Sequence, residues 1–471
     1  MSNSKKALKS GLWYTASNFL VRSIGFITTP IFTRLLTHDE FGAFNNFTSW
    51  LNIITIVVTL NLQSTLISAR YDYEEKFDEY ILSMLSLSTV SVAIWFVIIN
   101  CFRNNFVQLF DMGLPYINAM LLYLVFLSAV NFFQVRERYY FEYKMTVITS
   151  VLLSAGTALL SVGLVTLMPN RLTGRIIGSI VPTVLIGTVF FVYFIKKGKR
   201  VNFSYWKYAL PICIPYIPHL LSMTLLNSTD RVMITKFCGT EQTALYSLAY
   251  NCGVIITLLM TSFNSAFAPW LGEKLNNNSI NEIRRVSKMY IGGFFALALG
   301  IMLVSPELLL ILGGKSYIEA IYVLAPVSMG CVCQFLYTLF VNVEQFKKKT
   351  VGMAIASMIA ALSNFALNYI FIPKYGYLAA AYTTLAGYLL LLFIHMLLVS
   401  MLGLSQVYSY RFVLVIVALG IICMVGIVFL YSNIILRYVT LLCYIVILLA
   451  MMLINQEKIK TLISKKRGKT E

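Results

Sequence analysis

Charged residues are scarce in this chain, and acidic residues are the scarcer kind. Only 12% of its 471 residues are charged, with 19 acidic residues against 37 lysines and arginines, while 59% are hydrophobic. A soluble domain of this size would need far more polar surface, so the composition excludes a soluble protein. A net charge of +18 could indicate nucleic-acid binding, but the basic residues lie in short connections between apolar runs. We therefore expect a membrane protein without a nucleic-acid partner.

Sequence motifs of catalysis and of metal binding are also missing. The chain has no glycine-rich phosphate loop, no Gly-x-Ser-x-Gly and no His-Glu-x-x-His. Most of its eight cysteines lie inside apolar runs, and Cys331-Val-Cys333 lacks the further ligands that a zinc site needs. No connection between the apolar runs is long enough to hold a catalytic domain. We therefore expect no enzymatic activity, no metal site and no cofactor.

Fourteen apolar runs follow one another along the chain, each long enough to cross a membrane. A helix of about 20 residues, rising about 1.5 Å per residue, spans the hydrocarbon of a bilayer. The pattern therefore predicts an all-α integral membrane protein with about fourteen transmembrane helices. The predicted spans are 11–33, 42–68, 81–101, 114–134, 145–168, 176–195, 208–235, 242–271, 289–312, 317–341, 351–372, 376–402, 411–432 and 434–455.

The basic residues predict how these spans are oriented. Most of the 37 lysines and arginines fall in alternate connections, such as Lys196–Arg200 and Arg284–Lys288, whereas the opposite connections hold few, among them Arg171 and Arg175. Lysine and arginine gather on the cytoplasmic side of a membrane, and a missed or extra span would disrupt the alternation. We therefore expect both termini, including the basic tail 458–469, in the cytoplasm.

Two of the predicted outer turns resemble each other. Thr33-Arg34-Leu35 precedes Glu40 in the first turn, and Thr235-Lys236-Phe237 precedes Glu241 in the second. Outer turns could simply favour such residues, or the chain could contain two copies of a helical unit, a recurring plan in secondary transporters. The repeat predicts two six-helix lobes with a cleft between them. The predicted parts are a lobe at 1–200, a lobe at 201–402 with Lys196–Arg200 as linker, and an extra transmembrane helix pair with a basic tail at 403–471.

Three charged residues lie inside predicted spans: Arg22, Asp230 and Arg231. A charge at this depth is costly unless it faces a partner or a water-filled cavity, so each is a candidate for binding. Arg22 lies near mid-depth, where its guanidinium could bind phosphate through two parallel hydrogen bonds or could pair with a carboxylate and stabilise packing. Asp230 and Arg231 could instead reach the membrane interface. As neighbours on a helix, they point about 100° apart.

The seventh span is the least regular, because it contains Pro211, Pro215 and Pro218, followed by His219. Proline interrupts a helix and leaves backbone carbonyls free to coordinate ions or water. Pro30 could bend the first span in the same way. His219 could bind a proton or a ligand, or it could be a packed and hydrogen-bonded residue.

Amide and hydroxyl side chains are frequent inside the predicted spans, and Asn227 in the seventh span is one of them. Hydrogen bonds between helices account for most such residues, and a polar cavity for a sugar head group would use the rest. Glu307 and Glu344 lie near span ends, where we expect them to face the interface.

Four blocks of sequence, spread over most of the chain, carry a family resemblance. They are Thr29–Thr37 with Glu40-Phe41-Gly42; the segments Tyr208–Pro211, Pro215–His219, Asn227–Arg231 and Ala244–Tyr250; Gly313–Tyr317 with Ala320; and Ile372–Ala381. Their order resembles polysaccharide flippases of the Wzx type, within the multidrug/oligosaccharidyl-lipid/polysaccharide (MOP) exporter superfamily. The blocks are specific for the family and not for one substrate.

The resemblance implies a V-shaped, alternating-access fold and an undecaprenyl-diphosphate-linked oligosaccharide as cargo. The head group would cross a cationic cavity in the bacterial inner membrane while the lipid tail stays among the membrane lipids. Arg22 resembles a cationic position in the first helix of such flippases, and Asp230-Arg231 matches their seventh-span motif. Coupling to sodium or to protons is implied without a residue that identifies the ion. A polysaccharide polymerase and other assembly proteins are implied partners.

Two other functions are compatible with parts of this pattern. A lipid II flippase or a drug/cation antiporter would belong to the same superfamily, although drug antiporters usually have twelve spans and acidic cavity residues. A membrane polysaccharide polymerase would be an enzyme. Such polymerases resemble one another in carrying a large external loop with arginines. Every outer connection predicted here is short, which favours the flippase.

Overall fold

The computed structural model describes residues 3–140, 142–347 and 350–454, and within these ranges the chain is almost entirely helical and forms no strand. The predicted basic tail, 458–469, lies outside the described residues. The helices are α1 (Asn3–Leu35), α2 (His38–Val58), α3 (Leu66–Asp72), α4 (Phe77–Cys101), α5 (Arg103–Phe110), α6 (Leu114–Tyr139), α7 (Tyr143–Leu167), α8 (Arg171–Gly198), α9 (Ser204–Cys238), α10 (Thr240–Asn276), α11 (Ile280–Leu303), α12 (Ser305–Gly313), α13 (Ile321–Phe346), α14 (Thr350–Tyr375), α15 (Tyr377–Met401), α16 (Tyr410–Leu430) and α17 (Ile434–Ile454).

The prediction of an all-α membrane protein is confirmed. Eleven helices of the described chain are long and apolar enough to cross a membrane, and α9 makes a twelfth if its two bent segments count as one span. In α17 the apolar stretch Ile434–Ala450 is shorter. The count of fourteen spans therefore stays a prediction, as does the assignment of the two membrane sides. We call the end that holds the α8–α9 connection the predicted cytoplasmic end, and the opposite end the predicted outer end.

The turn between α1 and α2 is fixed by its own sequence. Thr37 accepts a hydrogen bond from the Glu40 backbone N–H, and the Glu40 carboxylate accepts one from the Thr37 N–H, at 3.2 and 2.9 Å. These bonds satisfy N–H groups that the first turn of a helix leaves without partners. The α9–α10 turn is made at Gly239, whose φ of +93° favours glycine. Both turns are consequently short.

The helices pack into two groups, which we call the N-terminal bundle (α1–α8) and the C-terminal bundle (α9–α17). In the first, α8 packs against α4, α6 and α7, and α1 lies along α7. In the second, the mostly buried α13 packs against α10, α11, α15 and α16. Helix α2 bridges the two bundles through its contacts with α9 and α10.

The two similar turns meet at the predicted outer end. Thr240 donates a hydrogen bond to Asp39 at 2.6 Å, and His38 lies 3.8 Å from the carboxylate of Glu241. Gly42 packs so tightly here that a Cβ atom in its place would lie 1.7 Å from the Thr240 carbonyl oxygen. The bundles are therefore closed against each other at this end.

The connection between α8 and α9 is fixed to the N-terminal bundle. Ser83, in the second turn of α4, accepts two hydrogen bonds from this connection. Its hydroxyl oxygen accepts one from the Asn202 N–H at 3.0 Å, and its carbonyl accepts one from the Trp206 indole at 2.9 Å. Arg200 pairs with Glu79 at 3.3 Å. The connection therefore holds the first turns of α9 against α4.

Helix α9 changes direction along its length. Its segments Ser204–Pro218 and Leu220–Cys238 meet at an angle of 42°. Pro211, Pro215 and Pro218 all lie in the first segment, and Pro218 immediately precedes the bend. A proline removes a backbone hydrogen bond and clashes with the preceding turn, which is a physical cause for a bend at this point. Pro30 lies inside α1.

Candidate functional site

The N-terminal bundle has an open cavity of about 530 Å³ between α1, α2, α6, α7 and α8. Its lining reaches from Phe32, Phe44 and Arg175, near the predicted outer end, to Gln134 and Ser150, nearer the predicted cytoplasmic end. Hydroxyl and amide groups are spread along its walls. The polar uncharged residues of the lining are Thr28, Thr48, Tyr123, Asn131, Gln134, Ser150, Ser154, Thr157, Ser179 and Thr183.

Arg175 is the charged residue in this lining. Its guanidinium carbon lies 3.7 Å from the ring centre of Phe32 and 4.2 Å from that of Phe44, so two rings hold the cation. Its Nη1 atom is buried without a hydrogen-bond partner among the described residues. Such a nitrogen retains its capacity to donate hydrogen bonds to an anion.

Local packing places Arg175 at this position. The short capped turn after Leu35 brings the end of α1 beside the start of α2, so that Phe32 and Phe44 both reach the guanidinium. On either side of Arg175, Gly174 and Gly178 let α8 approach α7 closely. A Cβ atom at these glycines would lie 2.6 Å from the Leu164 carbonyl oxygen and 2.4 Å from the Ser161 Cα.

In the C-terminal bundle, Asp230 is the centre of a buried polar cluster. Only 1% of Asp230 is exposed, and its carboxylate accepts hydrogen bonds from Tyr246, Thr384 and Asn368, each at 2.6 Å. Asn368 also donates to Asn364 at 3.2 Å. These residues come from α9, α10, α14 and α15, so the cluster joins four helices. Three donors stabilise a carboxylate that is removed from water.

Arg231 and Asn227 lie on another face of α9. The Arg231 guanidinium carbon is 4.7 Å from the ring centre of Tyr250, and its buried Nε atom has no hydrogen-bond partner among the described residues. Asn227 accepts a hydrogen bond from Tyr388 at 3.0 Å and donates one to the Met223 carbonyl at 2.8 Å. Asp230 and Arg231 thus point in different directions, as adjacent helical residues do.

The structure places Arg22 apart from these groups. Arg22 is exposed on α1, and the described cavity lining contains its neighbours Val21, Ile24 and Gly25 but not Arg22 itself. Val21 and Arg22 point about 100° apart on the helix. The backbone of His219 lies at the bend of α9, but its side chain lies outside the described residues.

Arg175 was missed as a candidate because the sequence pattern assigned it to an outer connection, one residue before the predicted span 176–195. Helix α8 in fact begins at Arg171, so Arg175 lies one turn inside it. The Asn170 side chain caps the helix by accepting a hydrogen bond from the Thr173 N–H at 2.9 Å. Asn170, six residues before the predicted span, was the sequence signal that could have moved the helix start, because asparagine is a favoured N-cap residue.

The two glutamates near span ends have different surroundings. Glu307 forms two hydrogen bonds with Arg437 at 2.6 and 2.7 Å, and its side chain is partly exposed. For Glu344, the expected position at the interface was wrong. It is 1% exposed and hydrogen-bonded to His395, because α15 presents the imidazole to it across the interior of the bundle.

Comparisons with known proteins agree with this architecture. Residues 7–274 match a family model described as polysaccharide biosynthesis protein, and residues 215–370 match the MatE model. The lipid II flippase MurJ, in an inward closed conformation, has 14% identity and a TM-score of 0.71, over 95% of this chain and 99% of that one. An inward-facing multidrug resistance MATE family transporter of the MOP superfamily has 12% identity and a TM-score of 0.64, over 83% and 95%.

A Haemophilus influenzae protein named as an uncharacterized membrane protein is 19% identical over 363 residues, which cover 75% of this chain and 88% of that protein. The chain therefore has the multi-span helical fold of these solved structures. By the family model that matches residues 7–274, it belongs to the polysaccharide biosynthesis protein family. The solved relatives are flippases and transporters by name.

Proposed function

We propose that this protein is a flippase for an undecaprenyl-diphosphate-linked oligosaccharide. It would carry the cargo from the cytoplasmic to the outer leaflet of a bacterial inner membrane, for O-antigen, capsule or exopolysaccharide synthesis. The observation that carries the proposal is Arg175, a cation with an unpaired nitrogen near the predicted outer end of a cavity that also has hydroxyl and amide groups in its walls. A partner polymerase would use the translocated product.

The cavity suits the head group of such a lipid. A guanidinium binds a phosphate group through parallel hydrogen bonds, and the rings of Phe32 and Phe44 hold it in place. Asn131 and Gln134 supply amide groups for sugar hydroxyls farther along the cavity. Its volume of about 530 Å³ lies within the range of about 300–1,000 Å³ for small-molecule sites. The cavity would therefore hold the diphosphate and the first sugars, with the lipid tail outside.

Arg22 remains part of the proposal, with a role at the margin of the cavity. It is exposed and follows Val21, which lines the cavity. We assign to it the attraction of the anionic head group before the phosphates reach Arg175. Its replacement would then slow loading, whereas loss of Arg175 would remove binding. The two variants distinguish these roles.

The Asp230 cluster is our candidate for the coupling-ion site. The carboxylate of Asp230 and the oxygens of Asn364, Asn368, Thr383 and Thr384 are the kind of ligands that a hard cation such as sodium prefers, and the carboxylate could instead take a proton. Among the described residues, no group of three or more histidine, cysteine or acidic residues could hold a metal ion. We expect Asp230→Asn to abolish dependence of transport on a sodium or proton gradient, and separate gradients in proteoliposomes identify the ion.

The main test is transport by the purified full-length protein in proteoliposomes. The probe is a fluorescent undecaprenyl-diphosphate disaccharide, and its arrival in the opposite leaflet is followed by quenching from outside. We expect Arg175→Ala to lower the transport rate at least about 30-fold, because a charge-assisted pair with phosphate is worth about 2–5 kcal/mol. Arg175→Lys should restore only part of it, since lysine lacks the planar fork.

Arg171→Ala is the matched control on the same helix. Arg171 is exposed and donates a hydrogen bond to the Leu35 carbonyl at 2.8 Å, outside the cavity lining. Its replacement should leave transport within about twofold of wild type. Equal transport by Arg175→Ala and wild type would refute the assignment. Preference for lipid II or for a cationic drug over the oligosaccharide would refute the cargo.

A further inference from the structure

Helix α2 ends inside the N-terminal bundle, although no proline or glycine stands at its end. It ends at Val58 after 21 residues, whereas α10, which follows the similar outer turn, is an unbroken helix of 37 residues. The Leu60 N–H bonds to the Val57 carbonyl, three residues back, so the regular helical hydrogen bonding stops here. The predicted single span 42–68 is therefore interrupted towards its predicted cytoplasmic end.

The turn that follows α2 has an unfavourable backbone conformation. Leu60 and Asn61 have φ angles of +54° and +45°, in the left-handed region that favours glycine. Strained backbone persists only where surrounding contacts hold it, and it is frequent beside binding sites. Here Cys213 of α9 lies 3.9 Å from the Asn61 carbonyl oxygen, and Tyr80 of α4 donates a hydrogen bond to Thr65 at 2.7 Å. The turn is therefore a fixed part of the fold.

A small pocket of about 10 Å³ lies at this turn, between α2 and α6. This volume is about that of one water-sized sphere, so the pocket has room for a single small particle. Its lining contains no charged residue, and Asn131 lines both this pocket and the larger cavity. The residues of the lining are Thr59, Leu62, Gln63, Ser128, Asn131 and Phe132.

The two hydroxyl groups of the lining use their hydrogens within their own helices. Thr59 donates to the Thr55 carbonyl at 2.7 Å, and Ser128 donates to the Leu124 carbonyl at 2.9 Å. Ser88 must then be the donor in its 2.8 Å contact with Ser128. Because a hydroxyl group has one hydrogen and two lone pairs, each of the two oxygens keeps at least one lone pair for a ligand.

Gln63 and Asn131 add two amide oxygens to the lining. Gln63 donates a hydrogen bond from Nε2 to the Asn61 side chain at 3.3 Å, which leaves its Oε1 available. Uncharged oxygens of this kind suit a monovalent cation, whereas Mg²⁺ and Ca²⁺ sites usually include carboxylates. Sodium is smaller than a water molecule and potassium is about as large as one, so the small volume favours sodium.

We propose that the interruption of α2 is a sodium-binding site in the N-terminal bundle, separate from the Asp230 cluster. The ion binds to the hydroxyl and amide oxygens of Thr59, Gln63, Ser128 and Asn131, between α2 and α6. Interrupted helices that coordinate sodium recur in membrane transporters. The ligand is sodium alone, so the test needs no cargo and its failure would leave the flippase proposal standing.

The test measures binding of radioactive sodium to the purified full-length protein. Asp230→Asn supplies the background, because it removes the carboxylate of the other candidate ion site. We expect Asp230→Asn still to bind sodium. Adding Thr59→Val should weaken this binding at least about tenfold, because valine keeps the shape of the side chain but lacks the oxygen ligand. Potassium should displace the bound ion less well than unlabelled sodium does.

Thr55→Val is the matched control. Thr55 lies one turn earlier on α2, donates a hydrogen bond to the Leu51 carbonyl at 2.5 Å and is outside the pocket lining. Its replacement should leave sodium binding within about twofold of the background. A folded Asp230→Asn protein that binds no sodium would overturn the proposal, as would equal competition by potassium. If Asp230→Asn fails to fold, the wild-type background serves instead, and equal binding by Thr59→Val and Thr55→Val there would overturn the proposal.

Discussion

The two bundles are built from helices of similar length and hydropathy, but the Arg175 site of one and the Asp230 site of the other satisfy their polar groups in opposite ways. The N-terminal bundle leaves the Arg175 guanidinium beside a cavity with one nitrogen unpaired. In the C-terminal bundle, the Asp230 carboxylate is held by three hydrogen bonds inside close packing. The first arrangement leaves a donor free for an anionic ligand. In the second, the donors already engage the carboxylate, so a coupling ion would have to exchange with existing hydrogen bonds.

The contrast has an energetic basis. A buried polar group without a partner costs about 1–3 kcal/mol, whereas a satisfied one is close to neutral or stabilising. The N-terminal bundle therefore bears a cost that an anionic ligand would relieve. The Asp230 carboxylate would bear such a cost only if its donors were removed.

The largest expected effect is a difference in the free energy of unfolding between a variant at Asp230 and a variant at Arg175. Asp230→Leu should lower the free energy of unfolding by about 3–5 kcal/mol, because it leaves three buried donors without an acceptor. Arg175→Leu should stay within about 1 kcal/mol of wild type, since the lost ring contacts are offset by removal of a partly buried charge with an unpaired nitrogen. Reversible unfolding in detergent measures both. If the Arg175 variant were the less stable one, the contrast between the bundles would be wrong.

The next effect concerns the place where the bundles meet. Gly42→Ala puts a Cβ atom where the Thr240 carbonyl oxygen lies, so the closed outer contact should lose about 1–3 kcal/mol. Thiol labelling of a cysteine introduced at Ala244, which is buried against Gly42 at this contact, should then become at least about fivefold faster, because that fold-change corresponds to about 1 kcal/mol. Gly293→Ala is the control, as nothing lies within 4 Å of its Cβ position. Unchanged labelling in Gly42→Ala would show that the outer contact does not hold the bundles together.

Local features of the sequence predicted the helices, whereas the sites depend on packing between distant parts of the chain. The helices and the turn after Leu35 follow from apolar runs and a capping sequence that lie within a few residues. The similar turns at Arg34 and Lys236 were visible in the sequence, but not that they would touch. The position of Arg175 beside the cavity could not be predicted, because it depends on contacts with two rings from other helices. The Glu344–His395 pair joins residues 51 positions apart, which no local pattern indicates.

A smaller difference is expected between two threonines, one in each bundle. Thr384→Val removes a hydroxyl that donates to Asp230 and should cost about 1–2 kcal/mol of unfolding free energy. Thr28→Val removes a hydroxyl that donates to the Gly25 carbonyl of its own helix beside the cavity, and should cost less than about 0.5 kcal/mol. The two substitutions remove the same chemical group. Equal losses in the same unfolding assay would contradict the view that the Asp230 site depends more on its hydroxyl contacts than the cavity wall does.

The smallest effect concerns the connection between the bundles. Arg200 pairs with Glu79 at 3.3 Å, but its side chain is 70% exposed, so water and salt screen the pair. Arg200→Ala should therefore change the free energy of unfolding by about 0.5 kcal/mol or less. Arg136→Ala is the contrasting variant, because Arg136 is 14% exposed and binds Asp78 through two hydrogen bonds, so its loss should cost about 2–4 kcal/mol. If Arg200→Ala were the more damaging variant, the connection would depend on its ion pair, and not on the hydrogen bonds to Ser83.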